Sequence, residues 1–149
     1  MTAEQLPVLD EHRVVVRADA EAVWRAINQV VERVSGRLAT GYAWAVGATD
    51  WKATGPRPLA EGSTVPGFRV VEAEPHELLA LAGRHRFSEY RLTFRLEAVS
   101  DGQTLVRAES RARFPGIFGS GYRLLVVGSG GHAAGMRRLL GTIARLANN

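Results

Sequence analysis

The stretch Gly119-Ser-Gly-Tyr122-Arg-Leu-Leu-Val-Val-Gly128-Ser-Gly-Gly-His132-Ala-Ala-Gly-Met136-Arg-Arg-Leu-Leu140-Gly-Thr-Ile143-Ala-Arg-Leu-Ala147 decides the architecture. At about 100° per residue, Tyr122, Leu125, Ser129, His132, Ala133, Met136, Leu139, Leu140, Ile143 and Ala147 fall on one stripe. Arg123, Arg138 and Arg145 fall on the other side. The spacing predicts one long helix over Ser120–Ala147, roughly 40 Å at about 1.5 Å per residue. An apolar face of that length needs a broad cover, which the strands upstream can supply. The run Val126-Val-Gly128-Ser-Gly130-Gly-His-Ala133 also fits the strand, G-x-G-x-x-A, helix pattern of a dinucleotide-binding turn. No acidic residue follows to hold a ribose, and the apolar stripe keeps one phase across the glycines, so helix is the better reading. Glycine costs about 1 kcal/mol against alanine inside a helix. Gly128, Gly130 and Gly131 therefore mark either a kink or a close approach of backbone to sheet or ligand.

With 46% apolar and 23% charged residues among 149, the chain reads as one soluble domain over residues 1–149 with a substantial core. Residues 1–10 are a loose lead-in without the basic and apolar regions of a secretion signal, and no apolar run approaches the roughly 18 residues of a membrane span. A cytoplasmic setting is the expectation. The absence of cysteine excludes disulfides, thiolate chemistry and cysteine-ligated zinc. The net charge is +4, yet only Lys52 among the 19 basic residues is a lysine, and the arginines are interspersed with acids. No clustered basic surface emerges, so no nucleic-acid partner is expected.

From the N-terminus, His12 to Ala18 alternates as a half-buried strand, with His12, Val14 and Val16 in one phase. Asp19 is a good N-cap for a helical stretch from Ala20 to about Val34, which a break near Asn28 would divide into two short helices. Tyr42-Ala-Trp44-Ala-Val46 has the alternation of a strand. Further strands are expected at Phe68–Glu74, Glu77–Phe87, Glu89–Val99 and Gln103–Phe114, with turns at Pro75-His76 and Asp101-Gly102. Tyr90, Leu92, Phe94 and Leu96 face one way on the clearest strand; Val106, Ala108, Ser110, Ala112 and Phe114 do so on the next. The class is α+β, with six or seven antiparallel strands, two short helices after the first strand and one long terminal helix.

This order resembles the START-like, SRPBCC superfamily, which includes birch-pollen-allergen-like, lipid-transfer and polyketide cyclase/dehydrase-like proteins. The opening Val14-Val-Val-Arg-Ala-Asp19-Ala-Glu-Ala-Val-Trp24-Arg-Ala-Ile27 looks like that superfamily's first strand and following helix. Val65-Pro-Gly67-Phe-Arg-Val70 and Phe114-Pro-Gly with Tyr122-Arg123 look like its cyclase/dehydrase-like branch. The resemblance implies a helix-grip fold, a curved sheet wrapped around the terminal helix, and a hydrophobic small molecule bound between them. It carries over no catalytic residue, because the superfamily shares no single catalytic set, and fold does not settle function.

Candidate site residues follow from phase. Ser129 and His132 lie one turn apart on the inward stripe, where an imidazole can donate one hydrogen bond and accept another. His85 and Tyr90 flank a strand turn and, with His132, are the candidates for acid–base work. Trp44 and Trp51 are placed at a cavity mouth, with Asp50 able to orient a histidine. Leu92, Phe94, Val106, Ala108, Ser110 and Met136 are expected along the cavity, because small residues facing a long helix leave room. His76-Glu77-Leu-Leu-Ala80 lacks the second histidine of a zinc helix, so neither metal nor cofactor is expected. Three roles fit: a carrier of a polyketide-like or lipid-like molecule, a cyclase or dehydratase, or a protein-interaction module such as an antitoxin or co-chaperone.

Overall fold

The computed structural model of the protein describes residues 6–33, 36–128 and 130–148. Strand β1 (Val8–Val16) leads into α1 (Ala20–Arg33) and α2 (Arg37–Ala45), followed by β2 (Thr64–Val65), β3 (Phe68–Glu74), β4 (Leu78–Arg84), β5 (Glu89–Ser100) and β6 (Gln103–Arg113). The chain then forms α3 (Gly116–Arg123), a π-helical turn over Leu124–Gly128, and α4 (Gly131–Ala147). The six strands make one sheet in the order β1-β6-β5-β4-β3-β2, every neighbour antiparallel. With the C-terminal helix laid over one face, this is the α+β helix-grip arrangement. Among the described residues, no helix is long and apolar enough to cross a membrane.

Alternation on the strands sorts the side chains into two faces. Val16, Val106, Ala108, Phe94, Leu79 and Leu81 point inward and are buried. The outer face carries ion pairs such as Arg91–Glu72 at 3.2 Å and Arg113–Glu89 at 3.0 Å. These exposed-face pairs are worth roughly 0–1 kcal/mol each. Asp19 caps α1 through Oδ1, which accepts the Ala22 N–H at 2.9 Å. Helix α1 buries Val23, Trp24, Ala26, Ile27, Val30 and Val31, and it packs on α4, which buries Met136, Leu140 and Ile143.

Four local expectations give way to the structure. The lead-in expected over residues 1–10 is already strand from Val8, where β1 begins. Helix α1 does not break at Asn28; that amide donates to Trp24 O at 3.0 Å and accepts the Leu59 N–H at 3.0 Å, so it ties the helix to a loop. The alternating Tyr42–Val46 segment lies in α2 and its cap, because Ala39, Ala43 and Val46 form a helical stripe that outweighs the alternation. The terminal helix is divided. Gly130 sits at φ 79, a left-handed conformation open to glycine, and the π-helical turn before it rotates the phase. Leu125, expected inward, is therefore 72% exposed, while Val126 and Val127 face the interior. Of the glycine alternatives, the kink is the one realised at Gly130.

Candidate functional site

Between the inner face of the sheet and the layer made by α2, α3, the π-helical turn and the start of α4 lies a cavity of about 390 Å³. Its wall is mainly apolar and aromatic, with Ala43, Val46, Phe68, Leu92, Phe114 and Val126 among the lining residues. Ligand pockets are typically cavities of this order with a few convergent polar groups. Two clusters of polar side chains reach it, one at the β4–β5 turn and one through Ser110 of β6 and His132 of α4.

The first is built on the β4–β5 turn. The Phe87 N–H donates to His85 Nδ1 at 3.0 Å, which makes that nitrogen the acceptor and leaves Nε2 to carry the proton toward Ser88 Oγ, 3.1 Å away. Burial lowers the pKa of His85 and so favours the neutral ring. The Tyr90 hydroxyl donates to Gly67 O, and its ring lies against Gly83, where there is no side chain in the way. Burial pushes the Tyr90 phenol above its ordinary pKa, with Tyr42 and Asp50 adding to the effect. Burial does the same to Tyr122, helped by its hydrogen bond with Tyr42. The Tyr42 and Tyr122 hydroxyls are 2.6 Å apart and join α2 to α3. The Tyr122 ring stacks on Phe87 at 5.5 Å and meets His85 edge-on at 5.1 Å.

The second group is built on β1, β6 and α4. A bulge between Val8 and Asp10 sets Asp10 opposite Ser110 and His12 opposite Ala108, so all four share the inner face. Asp10 Oδ2 is 3.2 Å from His12 Nε2. Its other oxygen, Oδ1, is 3.4 Å from His132 Nε2, longer than the about 2.7–3.2 Å of a well-formed N–H···O bond. Asp10 Oδ1, Ser110 Oγ and His132 Nε2 are all buried and lack a hydrogen-bond partner among the described residues. Leaving such an atom unpaired costs about 1–3 kcal/mol. Among the described residues no group of three His, Asp or Glu side chains converges closely enough to hold a metal ion.

The structure brings Leu92, Ser110, His132 and Met136 together with His85 and Tyr90 around this cavity. Three of the expected lining residues sit elsewhere: Phe94, Val106 and Ala108 are 0% exposed in the solid core, where α1 and α4 cover them. Trp44 is 68% exposed because the helical phase that buries Ala43 turns it outward. Trp51 is 39% exposed beside Lys52, and Asp50 pairs with Arg69 at 3.0 Å rather than with a histidine. Ser129 lies outside the described residues. Asp10 was not among the expected site residues. Its signal is the phase of His12, Val14 and Val16, which continues two residues toward the N-terminus.

No family model matches the sequence, and no curated protein matches it. Solved structures do. DynU16, from the dynemicin biosynthetic locus, superposes with a TM-score of 0.57 at 19% identity over 93% of this chain. The chain spans only 46% of DynU16's length. The solution structure of CalU16 from Micromonospora echinospora gives a TM-score of 0.56 at 18% identity, covering 92% of this chain and 64% of that one. A protein from Thermobifida fusca gives 0.55 at 19% identity, covering 91% and 93%. At these identities the likeness is one of fold alone, the helix-grip arrangement described above.

Proposed function

We propose that the protein binds and carries an apolar, ring-bearing small molecule, polyketide-like or lipid-like, in the cavity between the sheet and the C-terminal helices. The cavity itself is the observation that carries this reading: about 390 Å³, walled by apolar and aromatic side chains and touched by few polar groups. The place of DynU16 in a biosynthetic locus supports a metabolite as cargo.

Acid–base chemistry at His132, His85 or Tyr90 is the rival reading, and the local bonding weakens it at the last two. Both ring nitrogens of His85 have partners, and the Tyr90 hydroxyl is engaged with a backbone carbonyl. A general acid or base needs a proton or lone pair within reach of substrate. Native mass spectrometry and a fluorescence screen of polyphenols and fatty acids test the carrier reading. A bound species is expected, and Ala112→Leu, which fills cavity space, should weaken its binding at least about tenfold, or roughly 1.4 kcal/mol. Failure of every probe to bind, or equal binding to both forms, would overturn it.

A further inference from the structure

The cover of the cavity has an outer face of unusual composition. Leu38 of α2, Ile117 and Phe118 of α3 and Leu124 of the π-helical turn stand largely in solvent, and Tyr42 is more than half exposed. Leu38 lies one turn before Tyr42, and Phe118 one turn before Tyr122. Each therefore shares a helix face with one of the two hydroxyls, 2.6 Å apart, that join α2 to α3. Single exposed apolar residues are ordinary on a protein surface, but a group of them around one junction marks a contact surface. The charges here are of one sign. Residues 37–49 and 110–149 contain no Asp or Glu. Arg37 precedes Leu38 and Arg123 precedes Leu124; both are exposed, and neither has a carboxylate partner among the described residues. On the outer face of the sheet, by contrast, Arg91 is matched by Glu72 and Arg113 by Glu89. The countercharge for the cover must come from outside the chain.

We propose that this cover docks on an anionic lipid bilayer, with Leu38, Ile117, Phe118 and Leu124 entering the boundary between headgroups and acyl chains and Arg37 and Arg123 pairing with lipid phosphates. Binding at a bilayer surface draws on buried apolar area and on attraction to anionic lipid, and the cover offers both. The geometry favours a bilayer over a folded partner. These side chains project from the first turns of two helices and from a π-helical turn, three short elements that make no continuous flat face. A fluid interface closes around projecting side chains without needing a matching surface. The same elements wall the cavity from beneath, through Ala43, Tyr122 and Val126. Docking goes beyond the carrier reading and stands on the outer face alone, so each can fail without the other.

Co-sedimentation of the full chain with vesicles tests this, using phosphatidylcholine alone and phosphatidylcholine mixed with phosphatidylglycerol. Binding to the mixed vesicles is expected, with much less to phosphatidylcholine alone and a fall as salt screens the lipid charge. Arg37→Gln combined with Arg123→Gln should weaken binding to the mixed vesicles at least about tenfold. Ile117→Ser combined with Phe118→Ser should do the same, at least about tenfold, through lost apolar area. These side chains are exposed, so thermal melts of both variants should match the parent. Val15→Ser on the exposed outer face of β1 should leave vesicle binding unchanged. No binding to the mixed vesicles, equal binding to both compositions, or equal losses at Val15 and at the cover would overturn the docking. So would a concentration-dependent dimer that the cover substitutions break and vesicles leave intact, because it assigns the face to a second copy of the chain. Uptake of the polyphenol or fatty-acid probes without vesicle binding overturns the docking and leaves the carrier reading standing.

Discussion

The two ends of the sheet's inner face carry similar side chains and end in opposite states. At one end, Thr104, Val106 and Ala108 of β6 and Phe94 of β5 lie fully buried beneath α1 and α4. At the other, Ser110 and Ala112 on the same strand and Leu92 and Tyr90 on its neighbour border a cavity. The strands do not account for this, since the alternation runs unbroken through both ends. The covering helices do. Helix α1 drives six side chains into the core, whereas α2 buries only Ala43, α3 only Gly119, and the π-helical turn none. Leu38, Ile117, Phe118 and Leu124 on that second cover are 92%, 88%, 81% and 73% exposed. One sheet thus serves as a packed core and as a binding wall, depending on how deeply its cover reaches down.

The largest effect should separate the two ends directly. Phe94→Ala removes a ring from the packed end and should cost about 3–5 kcal/mol, while Leu92→Ala at the cavity wall should cost less than about 2 kcal/mol. Urea denaturation of both variants measures the difference, and similar costs would break the distinction.

A smaller effect is expected at Gly83. A Cβ there would overlap Gly67 O and the Tyr90 ring, so Gly83→Ala must push Tyr90 out of place. The expected loss is about 1–3 kcal/mol. Gly135 in α4 faces open space, and Gly135→Ala should instead stabilise by about 0.4–1 kcal/mol. Thermal melts of this pair show whether tight backbone approach is confined to the cavity's β4–β5 side.

The smallest effect is electrostatic. Burial lowers the folded-state pKa of His85, so the unfolded chain takes up that proton first as the pH falls. Stability should therefore decline as the pH drops below about 6.5, the unfolded value, and the decline should level off below the folded value. His85→Gln should make this slope shallower between about pH 7.5 and pH 5. An unchanged slope would mean that the ring stays solvated and that the cavity is wet at this side.

Strong periodicity made much of the fold legible. The β3 segment Phe68–Glu74 was read to the residue, and β5 and β6 to within one residue at an end, because alternating side chains on a half-buried strand have no other comfortable arrangement. The phase of α4 also followed from sequence: Met136, Leu140 and Ile143 are buried. Short elements were less legible. Tyr42–Val46 satisfies a strand pattern and a helical one, and the short β2 is too brief to leave a period at all.

The candidate site divides along the same line. Inward facing at Ser110, His132 and Met136 is a property of local repeat, and the sequence alone determined it. Whether an inward residue meets solid core or open space is not local. Phe94 and Leu92 have the same neighbours in sequence and the same face of one strand, yet one is buried under α1 and α4 and the other borders the cavity. Tertiary structure alone decided that, through the kink at Gly130, the phase shift of the π-helical turn and the shallow seating of α2. It also decided the meeting of Asp10, Ser110 and His132, which are distant in sequence and come together only because β1 pairs with β6 and α4 crosses beside them. Periodicity specifies the direction of a side chain; only packing between elements specifies what it finds there.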